Sequence, residues 1–399
     1  EKVEAISEFC ESYKDFISYG KTERLCVEQA VKAAEKNGFI NLDTIINDNT
    51  SNKVVLKPGS KVYAVNKNKN VILFRIGSKP LTSGMRILGA HIDSPRLDVK
   101  QNPLYQKSDF ALLDTHYYGG IKKYQWVTIP LAIHGVVIKK SGETINVNIG
   151  ESDTDPVVGI SDLLIHLSAD QLTKPAAKVI EGEALDLTVG SIPLKDEEKD
   201  AVKKNVLRLL KEKYDFDEED FLSAELEIVP AGKARDYGLD RSMVAGYGHD
   251  DRVCAYTSLR AILDSEDPEE TSCCVLVDKE EIGSVGATGA QSKYFEDTVA
   301  LLLNELGYTS YIDLKKAMSN SKMLSSDVSA GYDPLFESVN DPKNAAYFNK
   351  GIVFNKYTGS RGKSGSNDAN PEYIAWIRNI LENEQIHYQT AELGKVDQG

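Results

Sequence analysis

Apolar residues recur with helical spacing from the start of the chain, at Val3, Ile6, Phe9, Tyr13 and Phe16-Ile17, until Gly20 interrupts them. Thr22 then offers an N-cap to a second periodic run at Val27, Ala30, Val31 and Ala34, closed by Gly38, so residues 1–37 predict two helices. Strand-like runs at 61–65 and 71–76 flank the polar Asn66-Lys67-Asn68-Lys69-Asn70, the pattern of a hairpin. A third strand is predicted at 86–93, ending in His91-Ile92-Asp93-Ser94-Pro95. From about 97 to 234 the texture changes. Strand signals at 126–129, 131–138 and 145–149 follow turn signals such as Gly119-Gly120 and Ser141-Gly142, and an acidic, lysine-rich helix covers about 196–213. After 240 strands and helices alternate. The pattern predicts a strand at 243–247 and a helix through Val253, Tyr256, Leu259 and Ile262-Leu263. Strands at 273–278 and 323–327 follow, then an apolar region at 352–355, a helix from Pro371 through Leu381 and a strand at 386–389. Such alternation predicts an α/β fold with a mixed, mostly parallel sheet flanked by helices. Residues 1–96 and 235–399 then form one discontinuous domain, interrupted by a β-rich insert at 97–234.

One strand breaks the usual apolar pattern. Cys273-Cys274-Val275-Leu276-Val277 reads as a buried strand, yet it runs into Asp278-Lys279-Glu280-Glu281 and then Gly283 and Gly286. Three acids at the carboxyl edge of a buried sheet repel one another unless something positive sits among them. In open α/β sheets that edge is where ligands bind. The same grammar, a short apolar strand or turn ending in metal-type ligands, recurs at His91 with Asp93, at Asp250-Asp251 and at Asp327. A set mixing imidazole and carboxylates suits Zn2+, or Co2+ and Mn2+ at similar sites, and such ions offset the clustered charge. Adjacent residues of a strand point to opposite faces, so Glu280 and Glu281 share a site only where the strand gives way to a loop, which the glycines allow. Asp93 is placed to orient His91, and one of the two aspartates at 250–251 is placed to cap the following helix.

Composition narrows the function classes. The 399 residues are 41% hydrophobic, enough for a large core, and the net charge of −14 argues against nucleic acid or an anionic membrane as partner. No apolar stretch approaches the roughly 20 residues of a membrane span. Five cysteines with no Cys-x-x-Cys pair point to a reducing, cytoplasmic setting. Histidine is scarce: His91, His116, His134, His166, His249 and His387 are all there are. The Gly359-Ser360-Arg361-Gly362-Lys363-Ser364 loop falls short of a phosphate-binding fingerprint, which needs glycine where Tyr357 stands. The chain has no Gly-x-Ser-x-Gly elbow, and none of its cysteines has a histidine as sequence neighbour.

Several segments together resemble the aspartyl aminopeptidase / aminopeptidase I family of dinuclear zinc aminopeptidases. They are Gly89-Ala90-His91-Ile92-Asp93-Ser94-Pro95-Arg96-Leu97, Asp250-Asp251-Arg252, Asp278-Lys279-Glu280-Glu281-Ile282-Gly283-Ser284 and Ser326-Asp327, in that order. Tyr117-Tyr118-Gly119-Gly120 and Lys122-Lys123-Tyr124-Gln125-Trp126 are similar to stretches of that family's inserted domain. The resemblance implies a catalytic α/β domain holding two zinc ions, an inserted oligomerisation domain and a homododecamer acting on peptide substrates. It implies His91 and Asp327 as ligands of one metal, Asp251 as the bridging carboxylate and Glu281 on the second metal. Glu280 is then the general base and Asp93 the residue that orients His91. His166 matches the place of a histidine offered to a neighbouring subunit's site. His249 stands near enough in sequence to be a supporting or substrate residue, and Lys356 is a candidate for meeting an acidic substrate side chain. The family's second metal takes one more histidine near the C-terminus. His387 is a poor substitute for it, so the expectation is that this sequence ends short of that segment. Two other readings are a non-catalytic shell of the same fold that binds cargo, and an aminopeptidase of a related dinuclear family preferring neutral residues.

Overall fold

Thr271–Val277 runs through the interior of a mixed six-stranded sheet. In spatial order the strands are Ile40–Asn41, Lys61–Asn66, Asn70–Arg75, Thr271–Val277, Met85–His91 and Lys322–Ser325. The last three run parallel, as do the first two, while Asn70–Arg75 is antiparallel to both its neighbours. This computed structural model describes residues 2–358, 362–363, 365 and 368–397. Of the glycine- and serine-rich loop singled out in the sequence, Gly359, Ser360, Arg361 and Ser364 lie outside the described residues, as do Gln398 and Gly399.

Period-two alternation builds a core on each face of this sheet. Leu73, Cys274 and Leu276 face Phe16, Ile17, Val27 and Ala30 of the helices Lys2–Tyr19 and Glu23–Lys36, together with Leu259 and Ile262 of His249–Asp264. Phe74, Cys273 and Val275 face Val299, Leu302 and Leu314 of Tyr294–Glu305 and Tyr311–Asn320. The Thr22 hydroxyl caps its helix by accepting from the Leu25 N–H, as the sequence predicts.

The second sheet is wholly antiparallel. Its order is Thr144–Ile149, Leu131–Ile138, Ala224–Pro230, Arg96–Lys107, Phe110–Tyr118 and Leu187–Gly190. Leu97, Leu113, Ile133 and Ile228 fill its core beneath Val202 and Val206 of the helix Ala201–Tyr214. Two expectations change here, and one hairpin appears for which the sequence pattern gives no expectation. Residues 126–129 are irregular, because Thr128 takes a positive φ of 60° and Pro130 follows it. The helix starts at Ala201 rather than near 196, since Asp196 and Asp200 both sit at positive φ. The long hairpin Arg96–Lys107/Phe110–Tyr118 has no clean alternation in sequence, because its register slips between Val99 and Leu104 across Lys100-Gln101-Asn102-Pro103. A third change lies just beyond: Met243–Ala245 pairs with Arg235–Tyr237 in a small separate hairpin.

By contact the chain divides into two units, Glu1–Ser326 and Asp327–Gly399. The second contains a parallel pair, Ile352–Asn355 with Tyr388–Ala391, and the helix Pro371–Asn383, whose cap Asn370 accepts from the Tyr373 N–H. Among the described residues no helix is long and apolar enough to cross a membrane.

A buried ionic network joins the N-terminal helices, the hairpin and the second sheet. Arg96 lies 3.4 Å from Glu23 Oε2 and 3.3 Å from Glu227 Oε2, and Lys69 lies 3.1 Å from Glu23 Oε1 and 2.6 Å from Glu225 Oε2. Burial drives Glu23 up, but Arg96 and Lys69 outweigh it and hold this carboxyl well below its usual range. Burial, with the Glu23 anion beside it, pushes Glu227 well above its own. Of the pair, Glu23 is therefore the member that favours the ionised form and Glu227 the one that favours the protonated form. Glu227→Gln, which imitates the protonated form, is expected to stay within about 1 kcal/mol of the parent in urea unfolding. Glu23→Gln, which takes the shared buried anion from Arg96 and Lys69 and leaves them Asp98 and Glu225, is expected to lose about 3–5 kcal/mol. Equal losses in the two variants would contradict this assignment.

Candidate metal centre

Register places the first two components side by side. Val277 is the strand partner of His91, and the Ile92 N–H donates to the Val277 carbonyl at 2.8 Å, so both chains leave the sheet at one edge. Beyond Val277 the strand breaks. Lys279 takes a left-handed φ of 74°, and Glu280–Ile282 forms a single 3-10 turn closed by the Gly283 N–H on the Glu280 carbonyl. That break sets Glu280 and Glu281 on one side, as sharing a site requires. Asp278 turns elsewhere: it is buried, accepts from the Thr288 hydroxyl at 2.7 Å and faces Lys279 and Lys69.

His91 is almost fully buried. Its Nδ1 lies 3.0 Å from the Asp93 carbonyl and 3.2 Å from Asp93 Oδ1, which commits that nitrogen as a donor and turns Nε2 toward the edge. Nε2 lies 3.1 Å from Asp250 Oδ1 and 3.7 Å from Glu280 Oε2. His91, Asp250 and Glu281 can each offer one ligand atom with all three within 4.8 Å of one another.

The family resemblance implies Asp251 as the bridging carboxylate; the geometry brings Asp250 to the group instead. Both aspartates precede the regular helix with non-helical backbone. Asp250 is half exposed at the edge, its carbonyl accepting from the Ser94 hydroxyl at 2.6 Å. Asp251 is fully buried and turns its Oδ2 to the backbone N–H of His91 at 3.4 Å. Arg252, also buried, donates from Nε to the Ile92 carbonyl at 3.1 Å.

Asp93 binds the edge together. Its carboxylate accepts from the Glu280 and Glu281 N–H groups, each at 3.2 Å, and from the Tyr118 hydroxyl at 2.7 Å. Burial raises this carboxyl, but hydrogen bonds from His91, Tyr118 and Glu281 outweigh it and hold Asp93 below its ordinary range. Glu281 behaves oppositely. Burial first, then the Asp250 carboxylate, lifts it to about 7, and its Oε1 is buried without a hydrogen-bond partner among the described residues.

A divalent cation fits this arrangement. Zinc bonds of 2.0–2.1 Å at tetrahedral angles set donor atoms about 3.3 Å apart, near the His91–Asp250 separation. A positive ion would also relieve the Asp250–Glu281 repulsion and engage the orphaned Glu281 oxygen. Glu23, Glu225 and Glu227 form another acidic group of metal-binding spacing, but Arg96 and Lys69 already neutralise it.

His249 and His166 belong to none of these groups, while Asp327 can offer a ligand atom within 4.8 Å of those of His91 and Glu280. His249 is packed on Tyr13, its Nδ1 2.7 Å from the tyrosine hydroxyl, and burial lowers its pKa. His166 is exposed on the 3-10 turn Ile165–Leu167 among exposed Leu163, Leu164, Ile165 and Leu167. Lys356, in the second unit, is exposed with its ammonium 5.3 Å from the Tyr357 ring centroid. His387 is exposed, and its carbonyl accepts from the Ile352 N–H. Asp327 follows Ser326, whose N–H donates to the Gly89 carbonyl at 2.7 Å, two residues beyond the strand Lys322–Ser325.

Comparison with known proteins agrees with the chemistry. The family model described as aminopeptidase I zinc metalloprotease (M18) matches residues 16–399. A "probable M18 family aminopeptidase 1" of Clostridium acetobutylicum is 62% identical over 97% of this chain and 83% of its own length. A crystal structure of an M18 aminopeptidase from Thermotoga maritima superposes with a TM-score of 0.94 at 43% identity, covering 99% of this chain and 86% of that one. The crystal structure of aminopeptidase I from Clostridium acetobutylicum gives 0.89 at 60% identity, covering 98% and 84%. A Saccharomyces cerevisiae mApe1 dodecamer shares the fold, with a TM-score of 0.74 at 20% identity over 97% of this chain and 85% of that one. By its sequence and its fold, this chain belongs to the M18 family of aminopeptidase I zinc metalloproteases, hydrolases that act on peptides.

Proposed function

We propose that the chain removes N-terminal residues from peptides at a co-catalytic pair of zinc ions, with Glu280 as general base. The observation that carries this reading is the meeting of His91 Nε2, Asp250 and Glu281 at the sheet edge. Asp250 would hold both ions, His91 and Asp327 one of them, and Glu281 the other. Zinc, when bound, supplies a Lewis acid that polarises the scissile carbonyl and lowers the pKa of a water.

The chain's own residues do the rest. Glu280 is half exposed beside His91, within reach of solvent, so its carboxylate takes a proton from the attacking water and returns it to the leaving amine. Asp93 keeps the His91 imidazole turned with Nε2 outward. The negative field of Asp250, Glu280 and Glu281 favours a substrate end that carries a free α-amine.

We also assign residues 97–234 as an oligomerisation domain inserted into the catalytic domain of 1–96 and 235–399. It has its own core, and the exposed apolar residues around His166 suit contact with another copy of the chain. The dodecameric assembly of the Saccharomyces cerevisiae protein supports a homododecamer here. Five cysteines with no disulfide among the described residues, three of them buried, suit a cytoplasmic setting.

Two expectations test the site. Glu280→Gln should retain the parent's zinc content by elemental analysis while its kcat/KM on a short peptide falls by about 10²–10⁴-fold. Parent-like turnover would show that another group takes the proton. Asp250→Ala should lose most of the bound zinc, whereas Asp251→Asn should keep it. The reverse pattern would return the bridging role to Asp251.

A further inference from the structure

Tyr118 ends the strand Phe110–Tyr118 of the second sheet, opposite Arg96. Its ring is buried beneath the Arg96 guanidinium, 3.8 Å from the centroid, and the Lys279 ammonium lies 5.4 Å away. Its hydroxyl donates to Asp93 Oδ2 at 2.7 Å. Burial and the Asp93 anion both raise the phenol's pKa, so it stays a donor.

Asp93 is fully buried, and each of its oxygens has two partners. Oδ1 faces His91 Nδ1 and accepts from the Glu280 N–H; Oδ2 accepts from the Glu281 N–H and from Tyr118. One carboxylate thus sets the imidazole and the turn that carries both glutamates, and the shortest bond holding it comes from the inserted sheet. The chain continues into Gly119 at a φ of 73°, where a Cβ would lie 3.3 Å from Glu281 Cβ and 3.4 Å from its Oε2. The insert's backbone therefore passes directly against the Glu281 side chain.

We propose that Tyr118 is a positioning residue for the metal centre, acting through Asp93 so that the inserted sheet fixes the placement of His91, Glu280 and Glu281. The inference rests on reading His91, Asp250 and Glu281 as zinc ligands. It gives the insert a second task besides assembly, because the last residue of one of its strands sets the geometry in which peptide is cleaved.

Tyr118→Phe keeps the ring and its stack with Arg96 while deleting the donor. Zinc affinity, measured by competition with a chromophoric chelator, is expected to fall about 10–100-fold. The kcat of the zinc-saturated variant should fall with little change in KM, and the melting temperature of the zinc-free protein should stay close to the parent's. In an Asp93→Asn background the same substitution should add little further loss, since both changes remove one interaction. Parent-like zinc affinity in Tyr118→Phe overturns the proposal. So does an equal loss in the Asp93→Asn background, or a loss matched by a comparable fall in zinc-free melting temperature. A parent protein that binds no zinc would instead refute the metal reading on which the inference rests.

Discussion

The carboxylates of Asp250 and Glu281 meet beside His91 where the central strands end, and burial with mutual repulsion lifts Glu281 to about 7. The same molecule holds a second crowd of acids, Glu23, Glu225 and Glu227, at comparable spacing. The two differ in what neutralises them. Arg96 and Lys69 reach into the second cluster, so its charge is balanced by the chain itself. The edge cluster has His91 in its midst, and among the described residues no lysine or arginine pairs with Asp250 or Glu281 and a Glu281 oxygen is buried without a hydrogen-bond partner. On the proposed reading, the charge at this edge is balanced by a cation from solution rather than by the chain's own lysines and arginines.

Holding the cluster open asks more of the fold than bringing strands together. His91 and Val277 are paired in the ladder, but the strand must then turn sharply for two consecutive glutamates to face one site. Lys279 adopts a left-handed conformation that lysine takes reluctantly, at a cost on the order of 1–3 kcal/mol. Local bonds hold it, the Ser284 N–H donating to its carbonyl at 2.6 Å and Asp93 accepting from the two residues that follow. Arg252 holds the Ile92 carbonyl between His91 and Asp93, so the short stretch 91–93 is fixed from several directions.

Much of this was readable in advance, for identifiable reasons. Helices with a clear apolar stripe and a cap, such as Glu23–Lys36 behind Thr22, declare themselves locally, and so does the hairpin around Lys67 and Asn68. The acids after Val277 stood out because they contradict the burial pattern of the strand before them. Asp250 and Asp251 are not distinguished in this way. Neighbouring aspartates are alike in sequence, and which one reaches the edge depends on non-helical backbone that no pattern announces. The hairpin that carries Arg96 and Tyr118 leaves no clear mark in the sequence because its irregular register hides the alternation. Tyr118 itself carries no local sign of its role, which comes from a contact with Asp93 made across two sheets.

The account turns on whether ions occupy the edge of the sheet. Crystals grown with zinc, with anomalous diffraction data collected on both sides of the zinc absorption edge, examine this directly. Anomalous peaks within bonding distance of His91 Nε2, Asp250 and Glu281 are the predicted result. Well-ordered side chains at that edge with no anomalous peak among them would contradict it.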